Sequence, residues 1–350
     1  MPRQQPGSSN NRRLRLAQRP RGRVDAETWR ITVDPVEPLD HGRFLVRTSH
    51  ISIDPAMRRW LNDVRSYVPP VGIGEVMRAH AVGEVTASRH PDFPVGTHVF
   101  GDFGVAEYAE SDGEGVTVID PALAPAPVWL GALGLPGMTA YFGLTDVGGL
   151  RPGDTLVISG AAGAVGSIAG QIGKLMGCRV IGIAGGPDKC AWLTDELGFD
   201  AAIDYKRGSI DAALRTAAPD GVDVYFDNVG GDILDSVLGQ INVFARVVLC
   251  GAISQYNAES PSPGPSRYLS LLVRRAKMQG LIIFDYTDRY PEAVAALSNW
   301  LRRGGLIART HLADGGIEDF GDTLNLLFDG ANTGKLVLQL THNPTDKDVS

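Results

Sequence analysis

Gly160, Gly163 and Gly166 stand at i, i+3 and i+6 in the stretch Thr155-Leu-Val-Ile-Ser159-Gly160-Ala-Ala-Gly163-Ala-Val-Gly166. Five strand-forming residues run into the glycines, and an apolar, helix-like run follows to Gly177. A second apolar run, Arg179–Ala184, ends in Gly185-Gly-Pro-Asp-Lys189. A pyrophosphate needs close backbone approach and free N–H groups. Glycine removes the Cβ that would stand in the way, and a helix N-terminus adds donors and the positive end of its dipole. The spacing departs from G-x-G-x-x-G, and a purely structural glycine turn is the alternative. The strand before, the helix after and a second strand within about 30 residues favour a dinucleotide.

The type of dinucleotide follows from what lies beyond the second strand. An NAD site usually carries Asp or Glu about 20 residues past the glycines, accepting from the ribose 2′-OH. Ile183-Ala-Gly-Gly-Pro187 contains no acid; Asp188 lies on the following turn and Lys189 comes next. A lysine there balances a 2′-phosphate, Tyr205 adds a phenol donor and Lys206 more charge. The expected cofactor is NADP(H). The competing reading makes Lys189 and Lys206 solvated lysines at a helix end and in a loop.

These groups need a scaffold, and 350 residues suffice for two domains with a large core. A net charge of −7 argues against a nucleic-acid partner. Glycines and Pro136 break the apolar stretch Val128–Leu144, so no membrane span is expected, and no hydrophobic signal segment is seen. Cys178, Cys190 and Cys250 are too few and too widely spaced for a disulfide framework or a four-cysteine zinc site. A cytoplasmic protein with reduced thiols is expected. Arg3, Arg12, Arg13, Arg15, Arg19, Arg21 and Arg23 precede any acid, as in a transit peptide. Arg13–Ala17 nevertheless alternates like a surface strand, so residues 1–10 are read as a disordered extension followed by folded chain.

Up to about Leu123 the sequence is rich in short alternating runs, such as Arg43–Arg47 and Val95–Phe100, which suit a β-rich, barrel-like domain. From Val128 a helical segment leads to the turn Arg151–Asp154. Strands are then expected at Thr155–Ser159, Arg179–Ala184, Ala201–Asp204, Val222–Asp227, Ala245–Cys250 and Gln279–Phe284. Helices are expected near Val165–Met176, Asp188–Leu197, Ile210–Ala217, Ile233–Ile241 and Pro291–Arg302. Alternating β-α units imply a doubly wound parallel sheet of the α/β class. Past Gly304 one helix, near Ile317–Leu327, and a closing strand, Lys335–Leu340, return to the first domain.

Motifs spread from Asn11 to Leu340 carry a resemblance. They are Ile53-Asp-Pro-Ala-Met-Arg58, Gly72-Ile-Gly-Glu-Val-Met77, Gly134-Leu-Pro-Gly-Met-Thr-Ala-Tyr-Phe-Gly143, the glycine turn, Phe226-Asp-Asn-Val-Gly-Gly231, Cys250-Gly-Ala-Ile-Ser-Gln-Tyr-Asn257 and Ala331-Asn-Thr-Gly-Lys335. Together they resemble the zinc-free, NADP-dependent 2-alkenal reductases of the medium-chain dehydrogenase/reductase superfamily, with prostaglandin and curcumin reductases. The resemblance implies a GroES-like substrate domain (11–127 and 308–350) around a Rossmann cofactor domain (128–307), and a homodimer joined through the Rossmann sheets. An apolar strand such as Gln279–Phe284 is the candidate edge for that pairing.

By position, the resemblance places Gly163, Ala164, Val165 and Gly166 at the pyrophosphate, and Lys189 and Tyr205 at the 2′-phosphate. Asn228 falls near the sheet's switch point. Cys250, Gly251, Ala252, Ile253, Ser254 and Tyr256 line the nicotinamide ribose, and Leu281–Thr287, with Phe284 and Tyr286, the nicotinamide side. Asn332 reaches the cofactor from the last segment. Ala56 stands where the family usually has tyrosine, which implies a pocket without that aromatic wall. No cysteine precedes Cys178 and His80 alone cannot make a zinc site, so no metal is expected.

Without a metal, an activated alkene is easier to reduce than a simple ketone. The expected reaction is hydride transfer to the β-carbon of an α,β-unsaturated ketone or aldehyde, with donors at the oxygen where enolate charge develops. Tyr256 is the first candidate donor; a surface tyrosine in a polar loop is the alternative. Met57, Arg58 and Tyr67 are weaker pocket candidates, and the Pro/Ser-rich loop 257–268 a candidate cover. A quinone reductase, a non-catalytic NADPH-binding sensor and an enoyl-thioester reductase with a basic entrance at Arg274, Arg275 and Lys277 are the competing functions.

Overall fold

The computed structural model describes residues 10–260 and 262–341. The expected N-terminal extension, Arg3 included, falls outside them as far as residue 9, whereas Asn10 opens the first strand. The chain forms two compact units: the chain up to Leu130 with Leu312–Leu327 and from Leu336 on, and Gly131–His311 with Phe328–Lys335.

In the first unit, β1 (Asn10–Leu16) and β2 (Trp29–Pro35) form an antiparallel pair. Alternation decides which side is which: Leu14 and Leu16 are buried, while Arg13 and Arg15 turn to Asp34 and Arg12 reaches Glu107 and Glu318. The arginines from Arg12 to Arg15 thus belong to a surface strand. After β3 (Phe44–Ser52) come α1 (Ala56–Trp60), β4 (His80–Ser88), β5 (His98–Asp102), β6 (Tyr108–Ser111), β7 (Thr117–Val118) and α2 (Ala126–Trp129). Phe44, Val46, Ile51, Ile53, Met57, Leu61 and Met77 fill its core.

The second unit opens with α3 (Leu135–Phe142). It continues through β8 (Thr155–Ser159), α4 (Ala164–Leu175), β9 (Arg179–Ala184), α5 (Pro187–Ala191), β10 (Ala201–Asp204), α6 (Ile210–Ala217), β11 (Val222–Asp227), α7 (Gly231–Leu238), β12 (Ile241–Leu249), α8 (Leu269–Arg274), β13 (Lys277–Gly280) and α9 (Tyr290–Arg302). Six parallel strands lie in the order β10-β9-β8-β11-β12-β13. Numbered from β8, this is the 3-2-1-4-5-6 order of a doubly wound Rossmann sheet. Every residue of β8 is buried, as a central parallel strand requires. The order reverses between β8 and β11, so the turns leaving their C-terminal ends part there and open a crevice.

Finally β14 (Thr310–Gly315), α10 (Phe320–Asp329) and β15 (Lys335–Leu340) complete the first unit's sheet, ordered β14-β15-β3-β4-β5-β7 with β6 also on β3. The closing strand pairs with β3, as its sequence led us to expect.

Four expected elements differ. The strand expected at Gln279–Phe284 is Lys277–Gly280, because its partner β12 ends at Leu249, opposite Gly280; beyond it the chain coils into a 3₁₀ segment, Ile283–Arg289. The strand expected from Ala245 begins at Ile241 and carries an irregularity at Phe244, whose φ of 64° breaks the alternation. The helix expected to reach Ile241 ends at Leu238, since Ile241 pairs with Val222. The helix expected over Asp188–Leu197 changes to a π-helical turn at Trp192–Glu196.

Candidate cofactor site

Each glycine of the β8–α4 turn answers to a different constraint. Gly160 has φ +59°, a left-handed conformation that disfavours a side chain. A Cβ on Gly166 would collide with the carbonyl oxygen of Gly160, so the helix could not start so close to the turn. Gly163, the N-cap of α4, has an ordinary φ of −87°, and a Cβ there would meet only Gly160 O at 3.2 Å. Neither backbone nor packing strictly demands glycine at 163, so its bare Cα fits close approach by a ligand. Ala164 and Val165 form the helix's first turn, whose N–H groups form the donor end.

The segment 328–335 braces this turn. Gly334 N–H donates to Ala162 O at 2.8 Å and bridges to Gly163. Buried Asn332 donates from Nδ2 to Gly334 O at 2.9 Å. Further along, Lys189 Nζ donates to Gly330 O at 2.8 Å.

At the end of β9, Tyr205 and Lys206 close over Gly185: a Cβ there would lie 2.9 Å from the Tyr205 hydroxyl and 3.0 Å from Lys206 Cε. Burial, and then the charge of Lys206, push the Lys189 ammonium below the usual lysine range. Asp204 feels the Lys206 charge but forms no ion pair with it. Asp204 accepts Gly186 N–H at 2.8 Å and Lys206 N–H at 3.0 Å and faces Arg207 at 3.4 Å, and the Gly186 bond leads in holding its carboxyl below the usual range. Among the described residues neither Lys189 nor Lys206 has an ion-pair partner. Two lysines that repel each other, beside an exposed phenol, leave positive charge that an anion would offset.

At the switch point, Asn228 Nδ2 donates to Ser159 O at 2.7 Å and Asn228 N–H to Ser159 Oγ at 2.9 Å. The Cys250–Tyr256 turn leans on the same strand end: Cys250 and Gly251 donate to Asp227 O, Ile253 to Asn228 O and Ser254 to Val229 O. Tyr256 folds back so that its hydroxyl accepts Ala252 N–H at 3.0 Å. Burial, then the Asp227 charge, push the Cys250 thiol up to about 12, so it is no nucleophile at neutral pH. Ser159, Tyr225 and Asp227 are the participants that the sequence reading missed. The only signals were a polar residue ending each of two buried strands.

Residues 12–119 match the family described as the N-terminal domain of oxidoreductase, and 164–299 the zinc-binding dehydrogenase family. The chain is 41% identical to NADPH-dependent curcumin reductase of Escherichia coli over 94% of this chain and 97% of that one. It is 38% identical to prostaglandin reductase 1 of Rattus norvegicus, over 86% and 91%. The structure of CurA from Vibrio vulnificus in complex with NADPH superposes with a TM-score of 0.89 and 45% identity, over 95% of this chain and all of that one (100%). The chain belongs to the medium-chain dehydrogenase/reductase superfamily. Within it, the protein is an NADP(H)-dependent oxidoreductase of the curcumin and prostaglandin reductase type.

The name of one family model implies zinc. Among the described residues, no three His, Cys, Asp or Glu side chains are grouped to hold a metal ion. The donor set does not fit zinc, and no step below passes through a metal. No described helix is long and apolar enough to cross a membrane.

Of the residues expected around the substrate and the nicotinamide, several are engaged in packing. Met57 is fully buried, and Arg58, only 3% exposed, donates to Gly22 O, Pro20 O and Asn62 Oδ1. Both are core residues of the first unit, because α1 turns that face inward. Tyr67 is exposed and meets Trp60 Nε1 at 3.4 Å. His80 stacks on Phe100, and Ala56 opens α1. Phe284 and Tyr286 lie in the 3₁₀ segment; Tyr286 stacks on Phe142 at 4.6 Å, with Arg289 over the same Phe142 ring, so its face is taken up by packing. The loop 257–268 is fastened at its far end, where Ser266 and Arg267 donate to Asp235 and Arg267 pairs with Asp211. Of the basic trio, Arg275 lies over the exposed Phe244 ring.

Proposed function

We propose that this protein reduces the carbon–carbon double bond of α,β-unsaturated ketones and aldehydes with NADPH. The observation that carries the cofactor half is the Lys189–Lys206 pair, without an ion-pair partner among the described residues, beside Tyr205 at Gly185. The substrate half is supported by relatives named for curcumin and prostaglandin. Bound at the crevice, NADPH supplies the hydride that reaches the substrate's β-carbon.

The protein's own groups bind, orient and move the proton. Lys189, Lys206 and Tyr205 hold the 2′-phosphate, and the bare Gly163 with the α4 N-terminus holds the pyrophosphate. Asn228, Asn332 and the Cys250–Tyr256 turn fix the nicotinamide end. As negative charge moves to the substrate oxygen, a donor placed there in advance lowers the barrier. Tyr256 is that donor: its oxygen accepts from Ala252 N–H, which anchors the ring in the turn. A proton from Tyr256 or water then completes the saturated product.

We also infer a homodimer. The open edge of β13 lies beside α8, where Leu269, Leu272 and Val273 are 56%, 74% and 67% exposed, together with Phe244 on β12 at 65%. Such a patch beside an unpaired edge suits a second copy of the chain. A monomeric mass in sedimentation at micromolar concentration would sink that reading.

The deciding experiment follows NADPH absorbance with an alkenal, an aryl enone, a quinone and a simple ketone, each repeated with NADH. Oxidation with the enal or enone and NADPH alone is expected. Turnover of the quinone alone would make the protein a quinone reductase, and NADPH binding without any turnover a sensor.

A further inference from the structure

Asp227 is the last residue of β11, at the switch point, and is completely buried. Its Oδ1 accepts from four donors: Ser159 Oγ at 2.8 Å, Tyr225 OH at 2.7 Å, Val229 N–H at 3.1 Å and Gly230 N–H at 3.0 Å. Its backbone carbonyl accepts Cys250 N–H at 2.9 Å and Gly251 N–H at 3.0 Å. One residue therefore gathers the C-terminal end of β8, the turn after β11 and the turn after β12. A carboxyl sunk in the core is costly unless it is hydrogen-bonded, and here Oδ1 gathers four donors. It sits at the one point of the sheet where a dinucleotide crosses.

Ser159 carries the arrangement outward. Its hydroxyl gives its hydrogen to Asp227 and therefore presents a lone pair to Asn228 N–H at 2.9 Å. Its carbonyl takes Asn228 Nδ2–H at 2.7 Å. With Nδ2 held at Ser159 O, the amide plane is fixed and its oxygen is the acceptor Asn228 can offer a ligand. Such an acceptor selects a group that donates, a ribose hydroxyl, and not a phosphate.

We propose that Asp227 is a positioning residue for the cofactor's nicotinamide-side ribose, acting through Ser159 to lock Asn228 with its amide oxygen as the acceptor. The proposal rests on NADP(H) binding and on Asn228 touching the cofactor. Asp227 itself touches no ligand. Its Oδ2 is buried without a hydrogen-bond partner, so the hub depends on Oδ1 alone. Chains of hydrogen bonds anchored on a buried carboxyl polarise one another, which stiffens the far end.

The test is a double-mutant cycle on the full-length protein, reading Kd for NADPH and for NADH by fluorescence titration together with kcat. Ser159→Ala severs the link while leaving the strand intact, and Asn228→Ala removes the displayed oxygen. Each single change should weaken both dinucleotides equally, by about tenfold, because the ribose is common to both. Ser159→Ala made in the Asn228→Ala background should add almost nothing, and Asp227→Asn should follow Ser159→Ala. Additive losses, or a fall in Tm with unchanged Kd, would overturn the proposal. If Asp227→Asn does not fold, the Ser159 and Asn228 variants decide it alone. If Asn228→Ala leaves both affinities unchanged, the assignment of Asn228 to the cofactor fails first, and that outcome is distinct from additivity.

Discussion

The Lys189 ammonium donates to the Gly330 carbonyl at 2.8 Å, tying the turn after β9 to the segment that braces the glycine turn through Gly334 and Ala162. The contact parks a charge that has no carboxylate partner, half-buried and repelled by Lys206. A dianionic 2′-phosphate would relieve that repulsion. Lys189→Ala should therefore raise KM for NADPH by about ten- to a hundredfold, the worth of one charge-assisted hydrogen bond, and leave KM for NADH unchanged. Equal loss with both dinucleotides would show that Lys189 matters only as a brace for residue 330.

Burial, and then the same repulsion, set a pH dependence. Lys189 is charged below its pKa, and that pKa lies below the ordinary 10.5. The 2′-phosphate is a dianion only above about pH 6. KM for NADPH should thus be lowest between those limits and should rise on the alkaline side before pH 10.5, where an exposed lysine would still hold its charge. KM for NADH, measured in parallel, should stay flat. An alkaline rise shared by both would place the titrating group elsewhere.

Tyr256→Phe separates chemistry from binding. The variant loses the acceptor for Ala252 N–H, a cost of about 1 kcal/mol in stability, and loses the donor to the developing enolate. Turnover of an enone should fall by about a hundredfold while the NADPH Kd stays within a few-fold of wild type. Unchanged kcat returns Tyr256 to a purely structural part in its turn.

The sheet was legible because buried parallel strands read as continuous apolar runs: β8, β9, β10 and β11 have the bounds their sequences indicate. Where neighbours decide, the sequence misleads. The apolar residues after Gly280 look like strand, yet β12 ends opposite that glycine: Leu281 N–H still bonds Leu249 O, and the chain then coils into the 3₁₀ segment. The choice of NADP(H) was legible from an acid that is missing and a lysine that is present, both local facts. Asp227 and Ser159 were not, since their meaning lies in a contact between residues 68 apart in sequence. Arg58 looked like a pocket cation, and only the path of the chain through Pro20 and Gly22 shows it consumed by backbone carbonyls.

A reductase of enones, as proposed above, would meet Michael acceptors with its own thiols, and only thiolates react at an appreciable rate. Burial, first among the causes, raises all three cysteines, Cys178 to about 11 and Cys250 to about 12. A thiol is protonated below its pKa, so at pH 8 these two should resist an enone. Mass spectrometry after incubation with excess aryl enone at pH 8 should find Cys178 and Cys250 unmodified. Adducts on either, at the rate of a free thiol, would contradict the assigned protonation.

Two glycines three residues apart should respond to the same substitution in opposite ways. At Gly166 an added Cβ collides with the Gly160 carbonyl, so Gly166→Ala must push the helix off the turn. Loss of stability is expected, by about 1–3 kcal/mol as for an overpacked core, with NADPH binding lost as a consequence. At Gly163 the φ of −87° suits alanine, and the nearest atom to a new Cβ is Gly160 O at 3.2 Å. Gly163→Ala should keep Tm near wild type, because removing a glycine's unfolded-state freedom offsets a mild contact. Its Kd for NADPH and NADH should rise together, since the pyrophosphate is common to both and needs the bare Cα. Thermal melts beside dinucleotide titrations separate the two. A Gly163→Ala variant that binds NADPH as wild type does would remove the pyrophosphate from this turn.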